Sequence, residues 1–158
     1  MIEIERKFLV RSEDFKKEAF RKIRIKQGFL STDPERTVRL RITDEAAFLT
    51  IKGKSKENGL SRFEWEKEID KSEAEELFKL CKPGILDKTR YLVKQGDFLF
   101  EVDEFYGENL GLVIAEVELE TEEAIFEKPG WLGNEVTGDT RFYNSQLSEN
   151  PFKNWKNN

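Results

Sequence analysis

Residues 2–10 read IEIERKFLV, and residues 36–53 read RTVRLRITDEAAFLTIKG. Both segments alternate with a period of two. In a strand, successive side chains point to opposite faces. The first segment therefore places Ile2, Ile4, Arg6 and Phe8 on one face and Glu3, Glu5 and Lys7 on the other. RTVRLRIT at 36–43 sets Val38, Leu40 and Ile42 against Arg39 and Arg41, and AFLTIKG at 47–53 brings in Lys52. Asp44-Glu45 between the last two runs predicts a hairpin.

The same alternation continues along the chain. IRIKQGFLS at 23–31 reads as a strand and is followed by a turn at Asp33-Pro34. The polar loop KSKENG at 54–59 leads into LSRFEWEKEID at 60–70, where Arg62, Glu64 and Glu66 oppose Phe63 and Trp65. KTRYLVK at 88–94 and FLFEVDEFY at 98–106 flank Gln95-Gly96-Asp97, a hairpin turn. They contribute Lys88, Arg90 and Asp103, with Val102 opposite. LVIAEVELE at 112–120 sets Glu116 and Glu118 against Ala115, Val117 and Leu119. Helices are expected over 12–22, with Ser12 or Asp14 as cap, from Ser72 to about Leu80 through a Ser72/Glu75 capping box, and over 122–128. Pro83-Gly84 and Pro129-Gly130 end the last two. The expectation is one domain over 1–158, mainly β with short helices (α+β), containing seven or eight strands.

Composition narrows the chemistry. Charged residues make up 37% of the chain, but thirteen Phe and three Trp argue against general disorder. There is no histidine, which removes imidazole acid–base chemistry and His-activated nucleophiles. Hydrolysis would have to use carboxylates, Lys, Arg, Tyr or a metal ion. The 27 basic and 32 acidic residues give a net charge of −5, which does not draw nucleic acid over the whole surface. Cys81 is the single cysteine and fits a reducing, cytoplasmic setting. No signal peptide or membrane-spanning run is expected.

One face of nearly every strand thus carries organised charge. An open sheet could turn that face to solvent. A closed sheet could turn it inward, leaving the apolar face to be covered by helices or a partner subunit. Any one of these charge pairs, taken alone, suits a solvated strand face. Their recurrence suits a polyanion bound with a metal: Arg and Lys neutralise phosphate oxygens, and a divalent cation reconciles carboxylates with phosphate.

The Glu3-Ile4-Glu5-Arg6-Lys7 motif resembles the Glu-x-Glu-x-Lys signature of the CYTH, or triphosphate tunnel metalloenzyme, superfamily. The resemblance continues through QGFLS at 27–31, RLR at 39–41, LTIKG at 49–53, RFEWE at 62–66 and KTRY at 88–91. It extends through VDEF at 102–105, GLVIAEVEL at 111–119 and EVTGDTRFYN at 135–144. It implies a closed eight-stranded antiparallel β-barrel tunnel with a charged interior. It places Lys7, Arg39, Arg41, Lys52, Arg62, Lys88 and Arg90 at phosphate-facing positions. It gives Glu3, Glu5, Glu64, Glu66, Asp103, Glu116 and Glu118 to the acidic, metal-binding side.

The activity this implies is hydrolysis of inorganic triphosphate to pyrophosphate and phosphate with Mg²⁺ or Mn²⁺. Glu5, Lys7 and Lys52 are the catalytic candidates, a lysine serving only if its pKa falls towards neutrality. Two alternatives remain: an adenylate cyclase making cyclic AMP from ATP, and a non-catalytic polyphosphate- or nucleotide-binding module. Phe8, Phe29, Phe48, Phe63 and Trp65 are expected to pack the outer wall, and Trp131, Phe142 and Tyr143 to close one end or form an interface. An apolar outer wall is compatible with a homodimer.

Overall fold

The computed structural model describes residues 2–155. The strands are β1 (Ile2–Val10), β2 (Arg21–Ser31), β3 (Thr37–Ile42), β4 (Ala47–Lys52), β5 (Ser61–Ile69), β6 (Leu86–Gln95), β7 (Phe98–Phe105), β8 (Val113–Glu118) and β9 (Leu132–Glu135). They form a nine-stranded sheet in the order β5-β4-β3-β2-β6-β7-β8-β1-β9, with a further β5–β1 pairing. Short helices are α1 (Phe15–Glu18), α2 (Lys71–Phe78) and α3 (Asn144–Glu149). Among the described residues no helix is long and apolar enough to cross a membrane.

The expected closed eight-stranded barrel is corrected to this nine-stranded antiparallel sheet. The finding that overturns it is β9, together with the sharing of β1 among several neighbours. β1 gives Ile2–Ile4 to β5, Glu5–Leu9 to β8, and Phe8 and Val10 to β9. β9 consists of four residues, LGNE, too few to show alternation in the sequence. It is seated by close backbone approach: a Cβ at Gly133 would lie 3.0 Å from the Leu9 carbonyl oxygen.

The hairpins follow their turn chemistry. Ile42 pairs with Ala47, and Thr43 Oγ1 accepts from the Ala46 amide at 3.1 Å, closing the Asp44-Glu45 turn. Gln95 pairs with Phe98 around Gly96-Asp97, and Gly96 has φ 61°, the left-handed region such turns require.

The helix expectations need revision. The helix expected over 12–22 shrinks to α1, because β2 already starts at Arg21 and pairs there with Leu92. α2 begins at Lys71 with Asp70 at its N-cap, and no side-chain cap forms, so the Ser72/Glu75 box is absent. Residues 122–128 are not helical. There Phe126 packs edge-on against Phe8 and Phe100, and tertiary burial overrides local propensity.

Two apolar clusters lie on opposite faces of the sheet. On the outer face Phe8, Val93, Phe100, Val102, Ala115 and Val117 are covered by Phe15, Phe126 and Trp131. Each such large side chain contributes about 1.5–3 kcal/mol on burial. The second cluster joins Phe29, Leu86, Phe105 and Ile114 to Phe142 and Leu147, with Phe152 and Trp155 against it. By period-two alternation these strand residues share the face of Lys88, Asp103 and Glu116. The C-terminal segment from Val136 to Trp155 thus fills one end of the charged face.

Several aromatic expectations change as a result. Phe29 lies on the charged face, and Phe48 joins it by pairing with Arg41 and Glu68. Phe63 is 45% exposed on the outer face. Trp131 belongs to the outer cluster, while Phe142 sits in the C-terminal one.

Candidate active site

The charged faces of the strands surround a cavity of about 190 Å³. β1 contributes Glu3, Glu5 and Lys7; β3 contributes Thr37, Arg39 and Arg41; β4 contributes Lys52. Arg62, Glu64 and Glu66 come from β5, Lys88 and Arg90 from β6, Glu101 from β7, and Glu116 and Glu118 from β8. Phe29, Asn144 and Ser145 complete the lining. Every candidate residue from the sequence lines this space except Asp103.

Asp103 is enclosed instead. Arg90 donates to it from Nε and Nη2 at 2.8 and 2.9 Å, and Lys88 Nζ is 2.8 Å away. Burial opposes the Asp103 charge, but these cations overcome it and hold its pKa down at about 2. With both oxygens committed, Asp103 anchors the basic wall. Glu101 was missed, although it stands two residues from Asp103 on the same strand face. Asn144 and Ser145 were also missed, since they come from a segment without strand alternation.

The acidic side is crowded. Lys52 Nζ donates to Glu3 Oε1 at 3.0 Å and contacts Glu64 Oε2 at 3.4 Å. Lys7 Nζ lies 3.7 Å from Glu116. Burial, then Glu116 and Glu3, raise the Glu5 carboxyl well above its usual range. Burial and the neighbouring Glu3 push Glu64 to about 7. Burial, Glu3 and Glu101 also raise Glu118. Against burial, Lys7, Glu5 and Arg90 hold Glu116 well below the usual range.

The basic side shows the complementary problem. Arg39 donates to Thr50 at 3.1 Å and to Glu66 at 3.3 Å, and Glu66 also accepts from Thr50 at 2.6 Å. Among the described residues Arg41 makes no ion pair, and its Nε is buried without a hydrogen-bond partner. Burial, Arg39 and Arg90 lower its pKa to about 9. Arg62 stands 5.5 Å from the centre of the Tyr143 ring, and Lys7 Nζ 5.1 Å from it.

The two buried lysines diverge. Burial opposes the charge on Lys7, yet Glu116 and Glu5 outweigh it and raise its pKa. Lys88 is lowered to about 7 by burial, with Arg90 and Arg41 adding to the effect against Asp103.

Among the described residues no group of three or more candidate ligands is arranged to hold a metal ion. The carboxylates point at lysines instead: Glu3 at Lys52 and Glu116 at Lys7. The donor chemistry nevertheless fits a hard divalent cation. Glu3, Glu5, Glu64, Glu116 and Glu118 supply only oxygens, and burial first, then neighbouring carboxylates, raises Glu5, Glu64 and Glu118.

Residues 1–143 match the CYTH domain. The chain belongs to the CYTH family. Among curated CYTH relatives, the inorganic triphosphatase of Acetivibrio thermocellus is 46% identical over 155 residues, covering 98% of this chain and 97% of the relative. The inorganic triphosphatase of Nitrosomonas europaea is 39% identical over 153 residues, with coverage of 94% and 97%. The crystal structure of an inorganic triphosphatase superposes with a TM-score of 0.63 at 35% identity, covering 92% of this CYTH chain and 96% of the other.

Proposed function

We infer that this protein is a metal-dependent inorganic triphosphatase, hydrolysing triphosphate to pyrophosphate and phosphate. The observation that carries the reading is a small cavity with cationic and carboxylate walls, in a chain 46% identical to an inorganic triphosphatase over nearly its whole length. The size supports the compact substrate. At about 190 Å³ the cavity lies below the range of roughly 300–1,000 Å³ that suits drug-sized ligands.

The basic wall binds the phosphoryl oxygens. Arg39, Arg41, Arg62, Lys7, Lys52 and Arg90 spread positive charge along the chain, and the unpaired Arg41 is preorganised for an anion. Glu3, Glu5, Glu64, Glu116 and Glu118 would hold Mg²⁺ or Mn²⁺, with Glu66 beside Arg39. When bound, the ion supplies Lewis-acid stabilisation of charge on the phosphoryl oxygens. Attack of water on a terminal phosphorus breaks its bond to the bridging oxygen, and pyrophosphate leaves. The proton released by water needs an acceptor.

Lys88 is the best-suited acceptor. It lines the cavity, and its pKa near 7 leaves much of it as free amine at neutral pH. Lys7, raised rather than lowered, suits charge stabilisation, as does the ion-paired Lys52. Glu5 suits the metal side. The single Cys81 accords with a reducing, cytoplasmic setting.

Incubation with inorganic triphosphate or ATP, under Mg²⁺ or Mn²⁺, while resolving phosphate, pyrophosphate and cyclic AMP, tests the reading. Equal amounts of phosphate and pyrophosphate from triphosphate are expected. Cyclic AMP from ATP would make it a cyclase, and binding without turnover would make it a binding module.

A further inference from the structure

The end of the cavity filled by the C-terminal segment holds a polar cluster that triphosphate binding does not explain. Asn144 Oδ1 accepts from Lys88 Nζ at 2.9 Å and from Gln27 Nε2 at 3.1 Å. Gln27 is 0% exposed, and its Oε1 is buried without a partner. An unmet buried acceptor is costly and uncommon in a cluster kept for stability alone.

We propose that Asn144, held by Gln27, is a positioning residue that aims the Lys88 amine into the cavity. The proposal rests on the reading of Lys88 as the group that takes the proton from water. Asp103 at 2.8 Å and Asn144 at 2.9 Å flank the Lys88 amine and leave its remaining direction for the cavity that Lys88 lines. Without Asn144, Asp103 is the remaining close partner of the amine, and one point of attachment fixes its direction less tightly than two.

Gln27 serves one step further back. Its Nε2 donates to Asn144 Oδ1 at 3.1 Å, which favours the orientation in which that oxygen also accepts from Lys88.

Alanine and serine at Asn144 shorten the side chain without disturbing its place at the start of α3. N144A and N144S are expected to lower kcat for triphosphate by about 10²-fold, the cost of a small misplacement of a reacting group. KM should stay at the wild-type value, while the thermal midpoint falls because the buried Gln27 and Lys88 donors lose their acceptor. Gln27→Met, which keeps volume but removes the donor, should lower kcat less, again with KM unchanged. An active wild type beside N144A and N144S variants of undiminished kcat overturns this proposal alone, as does a loss confined to KM or to thermal stability. A wild type that does not hydrolyse triphosphate overturns the activity reading, and this proposal with it.

Discussion

Lys88 and Lys7 face the same cavity, yet their neighbours drive them in opposite directions. The difference predicts a pH profile. Lys88 is protonated below about 7, so hydrolysis should rise with pH through that value as the amine becomes free. Lys88→Ala should lower kcat by about 10²–10⁴-fold, and Lys88→Arg should not restore it, since a guanidinium keeps its proton. Rates measured from pH 5 to about 9 for the wild type and K88R check both claims. An unchanged acid limb in K88R would remove Lys88 as the acceptor. Arg41 makes a different point. Its guanidinium has no carboxylate partner among the described residues and its Nε is buried without a hydrogen bond, which costs folding energy until an anion arrives. Arg41→Met should therefore keep or raise the thermal midpoint while raising KM by about tenfold or more, the equivalent of one charged hydrogen bond. A lowered midpoint with unaltered KM would assign Arg41 to the fold.

At the scale of elements, the C-terminal segment binds the site to the core. Leu147 of α3 is 1% exposed in the cluster below Asn144 and Ser145. Leu147→Ala should cost about 2–5 kcal/mol in denaturant unfolding, and a loss well below that would mean the segment packs loosely. This segment also marks where sequence reading runs out. The hairpin over 36–53 was legible because alternation shows the same residues as both strand and cavity wall. Glu101 was equally legible by that rule and was passed over. The C-terminal contribution was not legible, because Asn144 reaches Gln27 and Lys88 across 117 and 56 residues, and no local period encodes such contacts. Residues 122–128 misled for a related reason: Phe126 is placed by Phe8 and Phe100 rather than by its own neighbours. The count of strands failed at β9, where four residues are recruited by β1 alone.

Over the whole molecule, a net charge of −5 coexists with a cavity that gathers cations from five strands, β1, β3, β4, β5 and β6. The acidic exterior gives a polyanion little long-range attraction, so binding depends on the cavity and its metal. Chelation with EDTA should abolish hydrolysis, and excess Mg²⁺ or Mn²⁺ should restore it. Persistent turnover in EDTA would remove the metal requirement. The pairing of β1 with β5, β8 and β9 has a consequence for biosynthesis. The strand IEIERKFLV finds its last partner only once residue 135 has been made. Until then, β5 and β8 can pair with it, but Phe8 and Val10 keep open backbone groups on the edge that β9 takes, so this strand is among the last to be fully secured.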